Sequence, residues 1–283
     1  MTRQQIILLA VQASIFLTVV GFGLQATRDD LLYLVRRPGL LVRSLLAMFV
    51  VMPVFAVLVA WAFSLHHAVE LALVALAISP VPPLLPNREL KAGGRASYGL
   101  GLMATAAVLS IGFIPLALNL LGRLLDQPMA LSPAAVARVA TMTMLLPLGI
   151  GAVVHALAPA FAERISRPIG LVATSLLAAG ALLIVIGALP VAVALIGNGT
   201  IFAIVVFVAV GLAAGHYLGG PRDEDRIVLA LSTACRHPAL ALAIAGAMFP
   251  NEKRVVGAIV LYLVLNAVVS IPYVSRMQGK ATA

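Results

Sequence analysis

The stretch from Leu231 to Pro250 reads LSTACRHPALALAIAGAMFP, apolar enough to lie in a bilayer, yet Arg236, His237 and Pro238 stand side by side near its start. A guanidinium stays protonated and can grip a carboxylate or sulfonate through two parallel N–H donors. His237 titrates near neutral pH when unperturbed and could carry a coupling proton. Pro238 cannot donate a backbone hydrogen bond and its ring clashes with the preceding turn, so a helix here must kink or stop. A broken helix at membrane depth is tolerated where protein or water satisfies its freed backbone groups, and secondary transporters build binding sites that way. Ser232 and Thr233 lie one turn before Arg236 and could face the same cavity, or could bond their own helix backbone. The plainer alternative is a proline-kinked helix whose Arg236 neutralises a buried partner or reaches an interface.

A second break is expected in ISPVPPLLP, where Pro80, Pro82, Pro83 and Pro86 cannot share one continuous helix. Ser79 stands at its entrance and is a candidate substrate contact. Asn87 follows it and is a candidate ion-coupling residue, with a cap or solvated side chain as the alternative. Asn119, Thr141, Thr143, His155 and Asn266 are further polar residues inside apolar segments, where hydroxyls and amides also join packed helices. Gly93-Gly94 lacks the lysine and serine of a phosphate-binding loop. His66-His67 has no third ligand nearby, no serine nucleophile pattern occurs, and Cys235 is the only cysteine. No catalytic residue, metal or cofactor is therefore expected.

These residues must be held by membrane-spanning helices. The composition is 62% hydrophobic and 10% charged, against about a quarter charged in soluble domains. The chain reads as an all-α polytopic membrane protein with about nine spans, whose partners are the lipid bilayer and a small solute. The net charge of +9 is not a nucleic-acid footprint, because bases beside spans have a topological explanation. The spans run from about Gln5 to Gln25, Gly39 to Phe63, Val69 into the proline cluster, Ala96 to Leu121, Ala134 to Leu157, Ile169 to Ile196, Thr200 to Leu218, Ile227 to Phe249 and Val255 to Val274. A loop, PAFAERISRP, precedes the sixth, and Gly197-Asn198-Gly199 turns the chain before the seventh. Most bases fall in alternate linkers, which places the C-terminus in the cytoplasm and the N-terminus outside, in a bacterial inner membrane. The broken third and eighth spans occupy matching places in two four-span units of opposite orientation. Two inverted repeats are thus expected, residues 1–121 and 168–283, joined by a connector with the fifth span at 122–167, with the two discontinuous helices crossing.

The whole pattern resembles the bile acid:sodium symporter family. The opening GFGLQATRDDLLYLVRRPGLLVRSLLAMFVVMPVFAVLVA is similar to the family's glycine-rich span end, basic loop and Met-Pro span. The likeness continues through the broken third span to STACRHPALALAIA. It implies nine or ten spans, interleaved panel and core domains, two crossed discontinuous helices and alternating-access transport of an organic anion. Departures are informative. The family's Cys-Pro-Gly-Gly and following Ser-Asn give way to Ser79-Pro80-Val81-Pro82-Pro83-Leu84-Leu85-Pro86-Asn87. In the eighth span the family's acid falls on Ser232, its glycine on Ala234, its Gln/Arg on Arg236 and its Asn on His237. The carboxylate that would balance sodium is missing, and Arg236 itself would repel a cation.

The expected function is a sodium-independent organic-anion transporter, coupled to protons through His237 or acting as a uniporter. Two alternatives stay open: an arsenite or other oxyanion exporter using Cys235, and a non-transporting membrane receptor on the same scaffold.

Overall fold

The computed structural model describes residues 3–124, 131–249 and 251–281. The loop at 125–130 and Pro250, which ends the arginine-bearing stretch, lie outside them. Every regular element among the described residues is helical. The first group comprises α1 (Arg3–Gly23), the one-turn α2 (Arg28–Leu31), α3 (Pro38–Leu46) and α4 (Met52–Ala62). The interrupted pair α5 (His67–Ile78) and α6 (Leu85–Lys91) comes next, then α7 (Ala96–Leu124), α8 (Pro133–Ala140) and α9 (Leu146–Leu157). The chain ends with α10 (Pro159–Ala194), α11 (Thr200–Leu218), the second interrupted pair α12 (Asp223–Ala234) and α13 (Pro238–Met248), and α14 (Val255–Ala281).

Seven helical paths among the described residues are long and apolar enough to cross a membrane, counting α3–α4, α8–α9 and α12–α13 as single paths. Leu9–Gly23 and His67–Ile78 are shorter apolar helices. The chain is an integral membrane protein. Seven of the nine expected segments correspond to these paths; the third does not, and there the cause is local. Its helix ends at Ile78, Ser79 turns extended (ψ 151), and α6 resumes only at Leu85. The sixth segment is longer than expected, since the supposed loop PAFAERISRP is helical from Pro159 and Pro168 lies inside α10. Pro159 occupies a first-turn position, where its missing N–H costs nothing, and alanine, glutamate and arginine then favour helix. The Gly197-Asn198-Gly199 turn is as expected, with φ of 150, 44 and 80.

Prolines shape the paths they interrupt. Pro53 and Pro147 each follow a π turn, Ala47–Val51 and Thr141–Leu145. There the Met52 N–H reaches Ala47 O and the Leu146 N–H reaches Thr141 O, one residue further back than in an α-helix. The next donor in the first π register would be residue 53, a proline without an N–H, so Met48 O is left for a donor from elsewhere.

The interrupted helices occupy the interior. In the Asp223–Gly246 path 72% of the apolar window is buried, against 11% in Pro159–Ala194, so α12 is a core element and α10 a peripheral one. α12 lies against α11 at backbone distance, because a Cβ on Gly211 or Gly215 would collide with Ala234 or with Leu229 and Ala230. Small residues permit such close approach where water cannot drive helices together. α1 packs separately with α9 and α10.

Candidate functional site

α5 ends with the Ser79 N–H on Leu76 O, and α12 ends with the Cys235 N–H on Leu231 O. Beyond these points both backbones are open, and they meet. The His237 N–H donates to Pro80 O (3.0 Å) and to Ser79 Oγ (3.1 Å), tying one interruption to the other. α5 packs on α13 and α6 on α12, so each half of one broken helix faces the opposite half of the other. The open carbonyl of Ala234 accepts from Tyr262 Oη (2.5 Å) and Asn266 Nδ2 (2.9 Å), one turn apart on α14. Tyr262 Oη also accepts from the Arg236 N–H at 3.0 Å. α14 thus satisfies backbone groups that α12 gives up by stopping.

Arg236 is 1% exposed, the largest fully buried side chain among the described residues. Its Nη2 donates to Met48 O and Ala77 O. Both acceptors are carbonyls opened by proline: Met48 O by Pro53, and Ala77 O by the stop of α5 before Pro80. The guanidinium thus caps two interrupted paths at once, and a cation suits the negative C-terminal end of α5. Its Nε and Nη1 are buried and have no partner among the described residues, and no carboxylate there forms an ion pair with it. Two nitrogens of a fixed cation, on diverging edges of its plane, are left without acceptors.

His237 is the N-cap of α13. Its Nδ1 accepts from the Leu240 N–H at 3.3 Å, which places the ring hydrogen on Nε2, and Nε2 is buried without a partner among the described residues. Ser79 Oγ donates to Leu76 O (2.8 Å) besides receiving the His237 N–H. Thr233 is buried on α12 with its hydroxyl unpaired among the described residues. Of the breaking residues, Pro80 and Pro238 sit at the contact, Pro82 and Pro83 lie in the unwound segment, and Pro86 starts α6. Asn87 is exposed on α6 and is not brought to this junction. Asn119 is likewise exposed, His155 bonds Leu24 O away from the junction, and Thr143 bonds its own helix.

The expectation that the junction lacks a carboxylate is corrected by Glu89. It is 2% exposed, and Ser232 Oγ, at the position of the family's acid, donates to Glu89 Oε1 at 2.6 Å. Oε2 is buried without a hydrogen-bond partner among the described residues and packs on Gly99 of α7, where a Cβ would collide with it. Arg88, its neighbour, turns the other way, donating to Asn266 Oδ1 (3.3 Å), Ala267 O (3.3 Å) and Cys235 Sγ (3.7 Å). NRELK reads in isolation as a solvated loop, which is why neither residue stood out. The spacing of Leu85, Pro86 and Glu89 on one face of a resumed helix was the available signal.

Residues 13–195 match the family described as Sodium Bile acid symporter family. The chain is also 27% identical to the P3 protein of Homo sapiens over 150 residues, 53% of this chain and 31% of that protein. The P3 protein of Mus musculus is similar at 27% over 156 residues, 55% of this chain and 33% of the relative. The matched region thus spans about a third of the length of these relatives.

Proposed function

The chain belongs to the sodium bile acid symporter family, and on that premise we propose that it is a secondary transporter moving organic anions by alternating access, independent of sodium and coupled to protons. The single observation carrying the substrate class is the buried Arg236 guanidinium, a cation without a counter-charge among the described residues. Its Nη2 is spent on Met48 O and Ala77 O, while Nε and Nη1 remain open between two interrupted helices. The parallel donor pairs of a guanidinium both include Nη2, which is spent here, so Nε and Nη1 each offer a separate charge-assisted donor to an anionic oxygen of a carboxylate or sulfonate. The N-terminal turn of α13 adds a positive helix end beside it. Ser79, Thr233, Ser232 and His237 supply the remaining polar surface of the junction.

Sodium independence is supported by the unpaired cation in the same junction and by the small number of oxygens gathered at Glu89, one carboxyl and the Ser232 hydroxyl. In this reading α5–α6 and α12–α13 belong to a moving core, and α1, α9 and α10 to the panel against which it rocks. The two halves form inverted repeats, and the basic linkers face the cytoplasm. The oxyanion-exporter reading has less support. The one thiol, Cys235 Sγ, already donates to Asn266 Oδ1 at 2.9 Å, and a single cysteine offers no multi-thiolate site.

The test is counterflow in liposomes loaded with unlabelled dicarboxylate, short-chain monocarboxylate or sulfonated amphiphile, with the radiolabelled anion outside. The wild type exchanges at least one of the three. Arg236→Ala falls below about a tenth of that rate, as expected for loss of a charge-assisted hydrogen bond of about 1.5–3 kcal/mol. Arg236→Lys, which keeps the charge but not the planar array of donors, lies between. Undiminished exchange in correctly folded Arg236→Ala would reduce Arg236 to a structural cap and remove the basis of the anion assignment.

A further inference from the structure

The geometry points to Glu89, held by Ser232 at the contact of α6 with α12, as the proton-carrying group of this transporter, in place of His237. The inference rests on the transport reading above and assigns the site of coupling within it.

Glu89 is nearly inaccessible, and neither of its charge states is matched by its surroundings. As a carboxylate it would receive only the Ser232 hydroxyl, on Oε1. As an acid with its O–H on Oε2 it would find no acceptor among the described residues, and with the O–H on Oε1 it would only reverse the Ser232 hydrogen bond and still leave Oε2 open. A group that no fixed partner satisfies in either state is suited to exchanging one, and an ionisable residue inside a membrane is a functional candidate together with its partner. The charged and titratable groups around it are engaged elsewhere. On its own helix Arg88 bonds Asn266, Ala267 O and Cys235, and Lys91 is exposed. On α7, Tyr98 Oη shares a hydrogen bond with Ser44 Oγ (2.8 Å). On α12, Asp225 is paired with Arg95 (2.9 Å), which also holds Glu224 (2.6 Å), and Cys235 bonds Asn266. None of them forms an ion pair or hydrogen bond with the Glu89 carboxyl.

A proton fits this place better than a sodium ion. A hard cation gathers about six oxygens; here one carboxyl and one hydroxyl are in contact, and the hydroxyl already points its hydrogen at Oε1. His237 is the poorer carrier, because its free lone pair, on Nδ1, holds the N-terminal turn of α13 through Leu240. Protonating Nδ1 would release that cap and add a cation next to Arg236. At Glu89 the proton adds to Oε2, an O–H forms, Oε1 keeps Ser232, and the carboxyl charge passes from −1 to 0. Release to water on the other side restores it. Because α6 and α12 belong to different interrupted helices, the charge change falls on the joint between them.

Infrared difference spectroscopy on the purified protein in lipid, stepped between mildly acidic and mildly alkaline buffer without sodium or transported solute, reads this directly. The wild type is expected to show a carboxylic-acid C=O band that appears on acidification and moves in D2O. Glu89→Gln, which preserves shape and the Ser232 hydrogen bond, loses that band. Ser232→Ala keeps it at higher frequency, since the carbonyl oxygen has lost its donor. A band that survives Glu89→Gln, or no titrating acid band at all, overturns the assignment, as does a band abolished by sodium at constant pH. The spectrum needs no flux, so failure here leaves the anion-carrier reading intact, and absent counterflow leaves the spectral result intact.

Discussion

At the scale of single residues, the junction turns on side chains that are only partly used. Arg236 satisfies two carbonyls through one nitrogen and leaves two donors open; Glu89 has one oxygen engaged and one open. Outside the junction, Asp30 is the opposite case. Its carboxylate takes donors from Thr27 N–H (2.9 Å), the Thr27 hydroxyl (2.7 Å) and Ser97, closing a capping box at α2 and fastening that turn to α7. Partial burial, the largest single influence, pushes its pKa up, but the three donors together outweigh it and hold the carboxyl below its ordinary value. A depressed folded-state pKa contributes stability that is present above the unfolded value, about 4, and is lost as pH falls through the folded one. Thermal unfolding of the wild type should therefore lose stability more steeply between about pH 5 and pH 2 than that of Asp30→Asn. Equal slopes would deny Asp30 this role. At this scale the sequence displayed Arg236, His237 and Pro238 plainly, because charge and proline are conspicuous in an apolar run. Glu89 was concealed among Asn87, Arg88 and Lys91, since only the resumption of helix at Leu85 shows which of these four polar residues turns inward.

At the scale of elements, proline and arginine act together. Pro53 removes the N–H that Met48 O would have received in the π register, and Arg236 Nη2 supplies the substitute. Pro53→Ala restores a main-chain donor at that carbonyl. The stability cost of Arg236→Ala should consequently be smaller in the Pro53→Ala background than in the wild type, by about 1 kcal/mol, one hydrogen bond's net worth. Chemical or thermal denaturation of the four proteins in one detergent measures this coupling, and strict additivity would show that Arg236 does not stand in for the missing N–H. The breaks themselves were legible, because Pro80 to Pro86 and Pro238 admit no continuous helix. Their mutual contact was not: His237 N–H on Pro80 O joins residues separated by most of the chain, and hydropathy carries no information about which open backbone groups satisfy each other. The helical course of PAFAERISRP was also missed, because charge density alone does not distinguish a solvated extension of a helix from a loop.

At the scale of the whole molecule, an all-helical membrane protein was readable from composition alone, since 10% charge cannot cover a soluble protein of 283 residues. Among the described residues seven of the nine expected spans are long apolar paths, and the third falls short at Ser79, where its helix is cut before it reaches full length. The interrupted helices lie inside and α10 outside, in a chain that belongs to the sodium bile acid symporter family. In the proposed function, open donors on Arg236 receive an organic anion, the contact of α6 with α12 receives a proton, and the core carries both across. Uptake by purified protein in liposomes, with proton and sodium gradients imposed separately on the same radiolabelled anions, tests that claim most directly. The account predicts accumulation driven by an inward proton gradient, indifferent to sodium and absent in Arg236→Ala. Accumulation that requires sodium and ignores the proton gradient would contradict it.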